Sequence, residues 1–433
     1  MIKKIKINNL MKNILVILSG DGFAAIISLL CISLTIKTIG MDENGKMLMA
    51  QTYCMLFNDI FNFQSFNSII KFMPEYMTTN LNKMKQIIKY SYFLELITAI
   101  IAFLFGNLLL SLIASFLNWN SDIINCTRIF IIYILFNLTG TSIGILRIYN
   151  KFKYISYNNI IINSIKLLLC IIGFINKFDM VYFLFIELIV SVFKNIILNI
   201  SAFYVLHINK LNGWYKCKLV KNKEFFIFNL YSNLVSTLDL PIGHITSFII
   251  SSLLGFTELS TYKVFEKIAK IITKLCDATS QAIYPEISFI ISQKKYDDAI
   301  ILVRKIFLSI FTTGFLISIF SVITNKFWVG LFFENYNSKI IILLFIYFLV
   351  VTINNSFMGF NHLYTVMGYL KYSLVIIPIA NIIYLVMLYN LTNKLSILGV
   401  IISVLLQGLM VVSMKYIVYK IKFKKIRLKS IDI

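Results

Sequence analysis

A chain of 433 residues that is 59% hydrophobic and 14% charged does not fold as an ordinary soluble domain, which carries about a quarter charged residues. Its formal charge of +22 is divided among short segments between apolar runs, so there is no soluble basic module to bind nucleic acid. Four prolines and 17 glycines, with long apolar runs in place of alternating blocks, argue against a large β domain and for an all-α polytopic membrane protein.

Twelve transmembrane spans are predicted. The first, 13–36, follows the basic start MIKKIKINNLMKN without a cleavage site, so it reads as a retained span. In its Gly20-Asp21-Gly22, two glycines around an acid loosen the helix locally. The second span, 47–70, carries Asn58, Asp59 and Asn62. Spans 90–116, 124–146, 157–176 and 181–205 follow, with Glu95, Lys166, Glu187 and Lys194 inside the third, fifth and sixth. The polar stretch 206–224 then divides the chain. The expected organisation is an N-terminal six-helix lobe (1–205), a cytoplasmic linker (206–224), a C-terminal six-helix lobe (225–418) and a basic tail (419–433).

In the second half, span 225–250 places Asn229, Ser232, Asn233, Ser236, Asp239 and Gly243 at three- and four-residue spacing, followed by His244. The eighth span, 260–283, is the most informative. It holds Lys263, Lys267, Lys270 and Lys274, which fall at about 0°, 40°, 340° and 20° around a helix. Glu266, Asp277 and Gln281 flank or extend that stripe. The last spans are 300–324, 339–360, 372–391 and 397–418.

Lysine and arginine favour one side of this arrangement by about four to one, which places both termini in the cytoplasm. The six cysteines lack metal-ligand or redox spacing and read as small reduced residues. No nucleophile elbow, phosphate loop or HExxH sequence occurs, and the external loops are short. The chain is therefore expected not to be an enzyme and to carry no cofactor.

The halves also echo each other. Ile39-Gly40 after the first span corresponds to Leu254-Gly255 after the seventh. Met73-Pro74-Glu75 corresponds to Tyr284-Pro285-Glu286, and Lys153-Tyr154 to Lys371-Tyr372. Matches in order at a near-constant offset indicate a parallel repeat, and two six-helix lobes related in this way are expected to enclose a central cavity.

Facing lipid, a lysine near mid-membrane costs about 2.5–3.5 kcal/mol, so the stripe must look into protein or water. Three readings are open: a cationic wall for an anionic substrate, an ion-pair ladder with acids of other spans, or an interfacial helix that does not cross. Too few acids lie nearby to neutralise four lysines, which favours the wall; an interfacial helix would reverse the topology of the basic tail. Asp21, Asp59 and Asp239 are candidates for coupling or gating, or for pairing with the stripe. Lys166 and Glu187 form either a buried pair or part of a cavity, and Lys194 belongs with them. His244 either titrates near neutral pH or is structural.

The stretch from Leu238-Asp239 to Gly255, then Tyr262, then Tyr284-Pro285-Glu286-Ile287-Ser288 resembles the pattern of polysaccharide export flippases. These belong to the multidrug/oligosaccharidyl-lipid/polysaccharide (MOP) exporter superfamily, and the Wzx-type O-antigen flippases fit best. Ile39-Gly40 and Gly45 resemble the same family's first hairpin. The resemblance implies two six-helix lobes of MATE-like fold around a cavity. It also implies a cargo of undecaprenyl-pyrophosphate-linked oligosaccharide carried to the periplasmic leaflet, with coupling to an ion gradient. The implied partners are that lipid-linked substrate, membrane lipids and other polysaccharide assembly proteins. The implied basic cavity falls on Lys263, Lys267, Lys270 and Lys274. Ser260 stands where the family has a second glycine. The alternatives are a MATE-type drug or cation antiporter, which four lysines disfavour, and a membrane polysaccharide polymerase or acyltransferase.

Overall fold

The computed structural model describes the backbone of residues 2–429 apart from 62, 64, 78, 239 and 334–337. Side chains are described within 22–422, apart from those positions and 241, 271, 275, 277–279, 281–282 and 285. All regular structure among the described residues is helical.

Helix α1 (Ile2–Phe61) contains the first two predicted spans and is broken at Gly40. It is followed by α2 (Ser65–Phe72) and a 3-10 turn at Pro74–Tyr76. Helix α3 (Leu81–Phe116) begins at Asn80, whose side chain accepts from the Lys83 amide. Such caps satisfy donors that a helix start leaves unpaired. The fourth span is divided into α4 (Ser121–Phe130), α5 (Tyr133–Phe136) and α6 (Gly140–Ile148). Helices α7 (Phe152–Ile175) and α8 (Met180–Ile208) form a hairpin, with Asp179 capping the second.

Helix α9 (Lys223–Thr237), capped by Asn222, leads through a π-helical turn at Pro241–Ile245 into α10 (Thr246–Leu254). Then come α11 (Phe256–Ser292), which carries the lysines, α12 (Tyr296–Ile323) and the short α13 (Asn325–Phe332). The tenth span is α14 (Ser338–Ser356) continued as α15 (Met358–Val366). Helices α16 (Leu370–Leu395) and α17 (Ile397–Lys429) complete the described chain. The backbone of α17 stays helical to Lys429, so the expected tail boundary at 418 marks a change of composition and not the end of the helix.

Nine of these segments among the described residues are long and apolar enough to cross a membrane, or ten with the bent pair α9–α10. The count matches the twelve predicted spans once α1 is read as two at Gly40 and α11 is added, which is long enough but too charged to qualify by composition.

The chain forms two compact units, 1–240 and 241–433. Sequence places the division at 206–224, whereas contacts place it within the seventh span. The 206–224 stretch packs on the first unit because its polar groups find partners there. Lys89 Nζ donates to the Cys217 carbonyl at 2.7 Å, Trp214 stacks on Tyr92 with ring centroids 4.9 Å apart, and Leu211 is fully buried. In the first unit α1 packs on α7, α4 and α3, and α2 on α6. In the second, α11 packs on α10, α12, α14 and α15, and α16 on α17.

Candidate functional site

Helix α11 has two unlike faces. Tyr262, Phe265, Ile268, Ala269 and Ile272 are buried and centre at about 200° on the scale that puts Lys263 at zero. That face packs on α10, α12, α14 and α15. The lysine stripe is on the opposite side. Lys263, Lys267 and Lys274 are half-buried and Lys270 is exposed. Lys263 pairs with Glu266 on the same helix at 2.8 Å. Periodicity therefore sorts the helix physically: its apolar face supplies the packing, and its cations lie on the opposite face. The side chains of Asp277 and Gln281 lie outside the described residues.

Below the stripe, Ser280 Oγ is 2.7 Å from His362 Nε2, and Tyr284 meets the same ring edge-on with centroids 5.2 Å apart. Next to His362, Asn361 accepts from Lys415 Nζ at 2.9 Å. Lys415, near the end of the twelfth predicted span, is thus tied into the second unit. None of these α15 positions stood out in the sequence, because each is a single polar residue in an apolar run. The second unit also has a groove of about 650 Å³ between α12, α15 and α17, lined by Phe307, Phe357, Phe360, Leu409 and Tyr416, with Arg304 at its wall.

The other candidates lie mainly in the first unit. Lys166 Nζ donates to Glu187 Oε1 at 2.5 Å, linking α7 to α8. Lys194 is exposed, and its carbonyl accepts from Asn158 at 2.9 Å. Asp59 accepts from Asn58 at 2.9 Å. Asp21 lies on α1, but its side chain is outside the described residues, as is Asp239 altogether. His244 is half-buried in the π-helical turn.

The structure adds a polar network that sequence did not assemble. At the break between α5 and α6, Asn137 donates to Asn58 at 2.9 Å, and Asn199 donates to the Leu138 carbonyl at 3.1 Å. Ser142 donates to Asn199 at 2.6 Å and so receives its 2.7 Å bond from the Tyr92 hydroxyl. Thr141 offers both its amide (2.6 Å) and its hydroxyl (2.7 Å) to Glu95 Oε1. A broken span survives inside a membrane domain only where side chains satisfy the freed backbone groups in this way. The sequence signals were Asn137 and Gly140; a Cβ on Gly140 would lie 2.9 Å from Glu95 Oε1.

Among the described residues no cluster of histidine, cysteine, aspartate or glutamate is arranged to hold a metal ion.

Comparison with solved structures places this arrangement among known folds. An inward-facing multidrug resistance MATE family transporter of the MOP superfamily matches with TM-score 0.72 at 12% identity, covering 94% of this chain and 96% of the other. A MOP superfamily transporter from Pyrococcus furiosus, described by the reverse polarity of its binding pocket, gives TM-score 0.67 at 11% identity, covering 97% and 96%. The lipid II flippase MurJ, in an inward closed conformation, gives 0.63 at 17% identity, covering 93% and 86%. These likenesses establish the fold as that of MOP superfamily membrane transporters, and the protein as multi-pass. No curated protein is a significant match. At the level of sequence, residues 10–291 match the family described as Polysaccharide biosynthesis protein. With more than half of its length matched, the chain belongs to that family.

Proposed function

We propose that the protein is a flippase that carries an undecaprenyl-pyrophosphate-linked oligosaccharide from the cytoplasmic to the periplasmic leaflet of the inner membrane, as one of the Wzx-type O-antigen or related surface-polysaccharide exporters. The observation that carries this reading is the lysine stripe on the face of α11 opposite its packed side, in a chain of the polysaccharide biosynthesis family. Lys263, Lys267, Lys270 and Lys274 supply ammonium donors along roughly 16 Å of helix, enough to hold a pyrophosphate and the first acidic groups beyond it. The apolar groove beside Arg304 suits the lipid part of such a molecule. MurJ is described as a lipid II flippase, and the Pyrococcus furiosus transporter by a binding pocket of reversed polarity; both descriptions fit a member of this fold with a cationic wall. A MATE-type antiporter of organic cations is the second reading, and the stripe opposes it because it would repel such cargo. The protein itself performs no bond chemistry in this scheme.

The double variant Lys267→Ala/Lys270→Ala tests the assignment. A charge-assisted bond to phosphate is worth about 1.5–3 kcal/mol, so losing two should weaken cargo binding by at least about a hundredfold. The expected result is loss of surface glycan with accumulation of lipid-linked repeat units on the cytoplasmic side, while the variant still inserts. Normal surface glycan from that variant would overturn the binding role of the stripe.

A further inference from the structure

We propose that Glu95 is a proton-binding site of the first unit, the group through which this transporter takes up and releases a proton. The observation is an uncompensated buried acid. Glu95 is 3% exposed. Its Oε1 receives the amide and hydroxyl of Thr141 at 2.6 and 2.7 Å, while its Oε2 is buried and has no hydrogen-bond partner. Ser65 stands beside it; its hydroxyl lies 3.2 Å from the Phe63 carbonyl and also favours the carboxylate form of Glu95.

Helix α3 packs on α1, α2, α4, α5 and α6 and on the turns at 74–76 and 214–216, and the titratable groups there are engaged elsewhere or form no ion pair with it. On α3 itself, Lys89 donates to the Cys217 carbonyl and Tyr92 to Ser142. On α1, Asp59 is held by Asn58. Lys71 of α2 sits over the Phe228 ring at 3.9 Å, Arg147 of α6 over Phe66 at 5.2 Å, and Tyr133 of α5 stacks on Phe130. Asp122 and Arg128 of α4, Glu75 in the 74–76 turn and Lys216 in the other form no ion pair with Glu95. Among the described residues the acid therefore has no counter-ion.

Two effects of opposite sign act on it. A charge buried without a counter-ion is costly, and a bare Oε2 adds to that cost; both favour the neutral acid. Two short donors at the start of α6, with the positive end of that helix behind them, favour the carboxylate. Both forms are thereby held within reach of one another, as a group that exchanges a proton requires. The proton sits on Oε2 in the neutral form and leaves to water in the charged form, with Oε1 keeping its two donors throughout. The adjoining α5–α6 break, held by Asn58, Asn137 and Asn199, is the part of the unit in which helix hydrogen bonding is already interrupted.

The inference takes its meaning from the transporter reading, but its test does not need the cargo. The purified full-length chain in lipid nanodiscs is titrated while the protonated-carboxyl C=O vibration is followed in H2O and D2O. The expected result is a deuterium-sensitive band that titrates reversibly, amounts to one proton per chain, and is absent from Glu95→Gln. Thr141→Val, which removes one donor to the carboxylate, should move the titration to higher pH, and Glu95→Asp should retain a titrating band. The proposal is overturned if Glu95→Gln keeps the full titrating band, or if the Glu95 band stays constant over the whole range in which the protein is folded. Failure of the flippase reading would show instead as normal glycan export without the lysines, with the proton titration intact.

Discussion

At the scale of single residues, the membrane interior makes every polar group a matter of partners. Lys166 and Glu187 illustrate the rule: the lysine is 8% exposed and its ammonium is bonded to a carboxylate on the neighbouring helix. Removing one member of such a pair leaves an uncompensated charge. Lys166→Ala should therefore destabilise the protein by about 3 kcal/mol, somewhat less if water reaches Glu187 from its more open side. The double variant Lys166→Met/Glu187→Leu should recover most of that loss. Thermal unfolding of both in detergent checks this, and equal losses in the two would contradict it. The existence of this pair was legible in the sequence because both charges fell in adjacent apolar runs. The lysine stripe was legible for a similar reason, since four lysines at helical spacing have one geometric meaning. The surroundings of Glu95 were not legible, since Thr141 and Ser65 come from different spans and only packing brings them to one acid.

At the scale of elements, the repeat proposed from weak sequence echoes has a concrete counterpart in the backbone. Gly40 has φ 81° and ψ 169°, and Gly255 has φ 92° and ψ 178°. Both break a helix at matching points of the two halves, in a region of conformational space open essentially to glycine alone. Nothing lies within 4 Å of a Cβ built at either position, so a substitution there meets backbone strain and no clash. Gly40→Ala and Gly255→Ala should each cost about 1–3 kcal/mol, by similar amounts, read as a drop in melting temperature. Gly330, equally uncrowded but with ordinary backbone inside α13, is the control: Gly330→Ala should gain about 0.5–1 kcal/mol. The repeat is less faithful further on. Pro74 opens a 3-10 turn after α2, whereas position 285 lies within the unbroken α11. The same Pro-Glu pair thus ends a helical segment in one half and not in the other. Sequence could not show this, because proline removes only its own donor and the neighbouring helices decide whether the chain continues through it.

At the scale of the whole molecule, two kinds of information in the sequence had different outcomes. Hydropathy located the spans, because burying about twenty apolar residues per crossing leaves little freedom in where they lie. From polarity alone it reads 206–224 as a linker between the halves. That polarity is satisfied locally, on Tyr92 and Lys89 of α3, and the compact units divide at 240 instead. Charge asymmetry supplies the remaining global property, orientation, and it leads to a prediction independent of any cargo. Lys218 and Lys294 lie in segments on the lysine-rich side, Lys177 and Lys394 in segments on the other, and all four are exposed. In a cysteine-free background, Lys177→Cys and Lys394→Cys should react with a membrane-impermeant thiol reagent added outside spheroplasts. Lys218→Cys and Lys294→Cys should react only after the membrane is permeabilised. Positive residues resist translocation while the chain is being inserted, so one orientation should account for nearly all molecules. Because Lys218 and Lys294 flank the α9–α11 region on both sides, their shared protection would also require that α11 cross the membrane along with its lysines. External labelling of Lys294→Cys with Lys218→Cys protected would show instead that α11 lies along the surface, removing the lysine stripe from the membrane interior and with it the basis for a pyrophosphate site there.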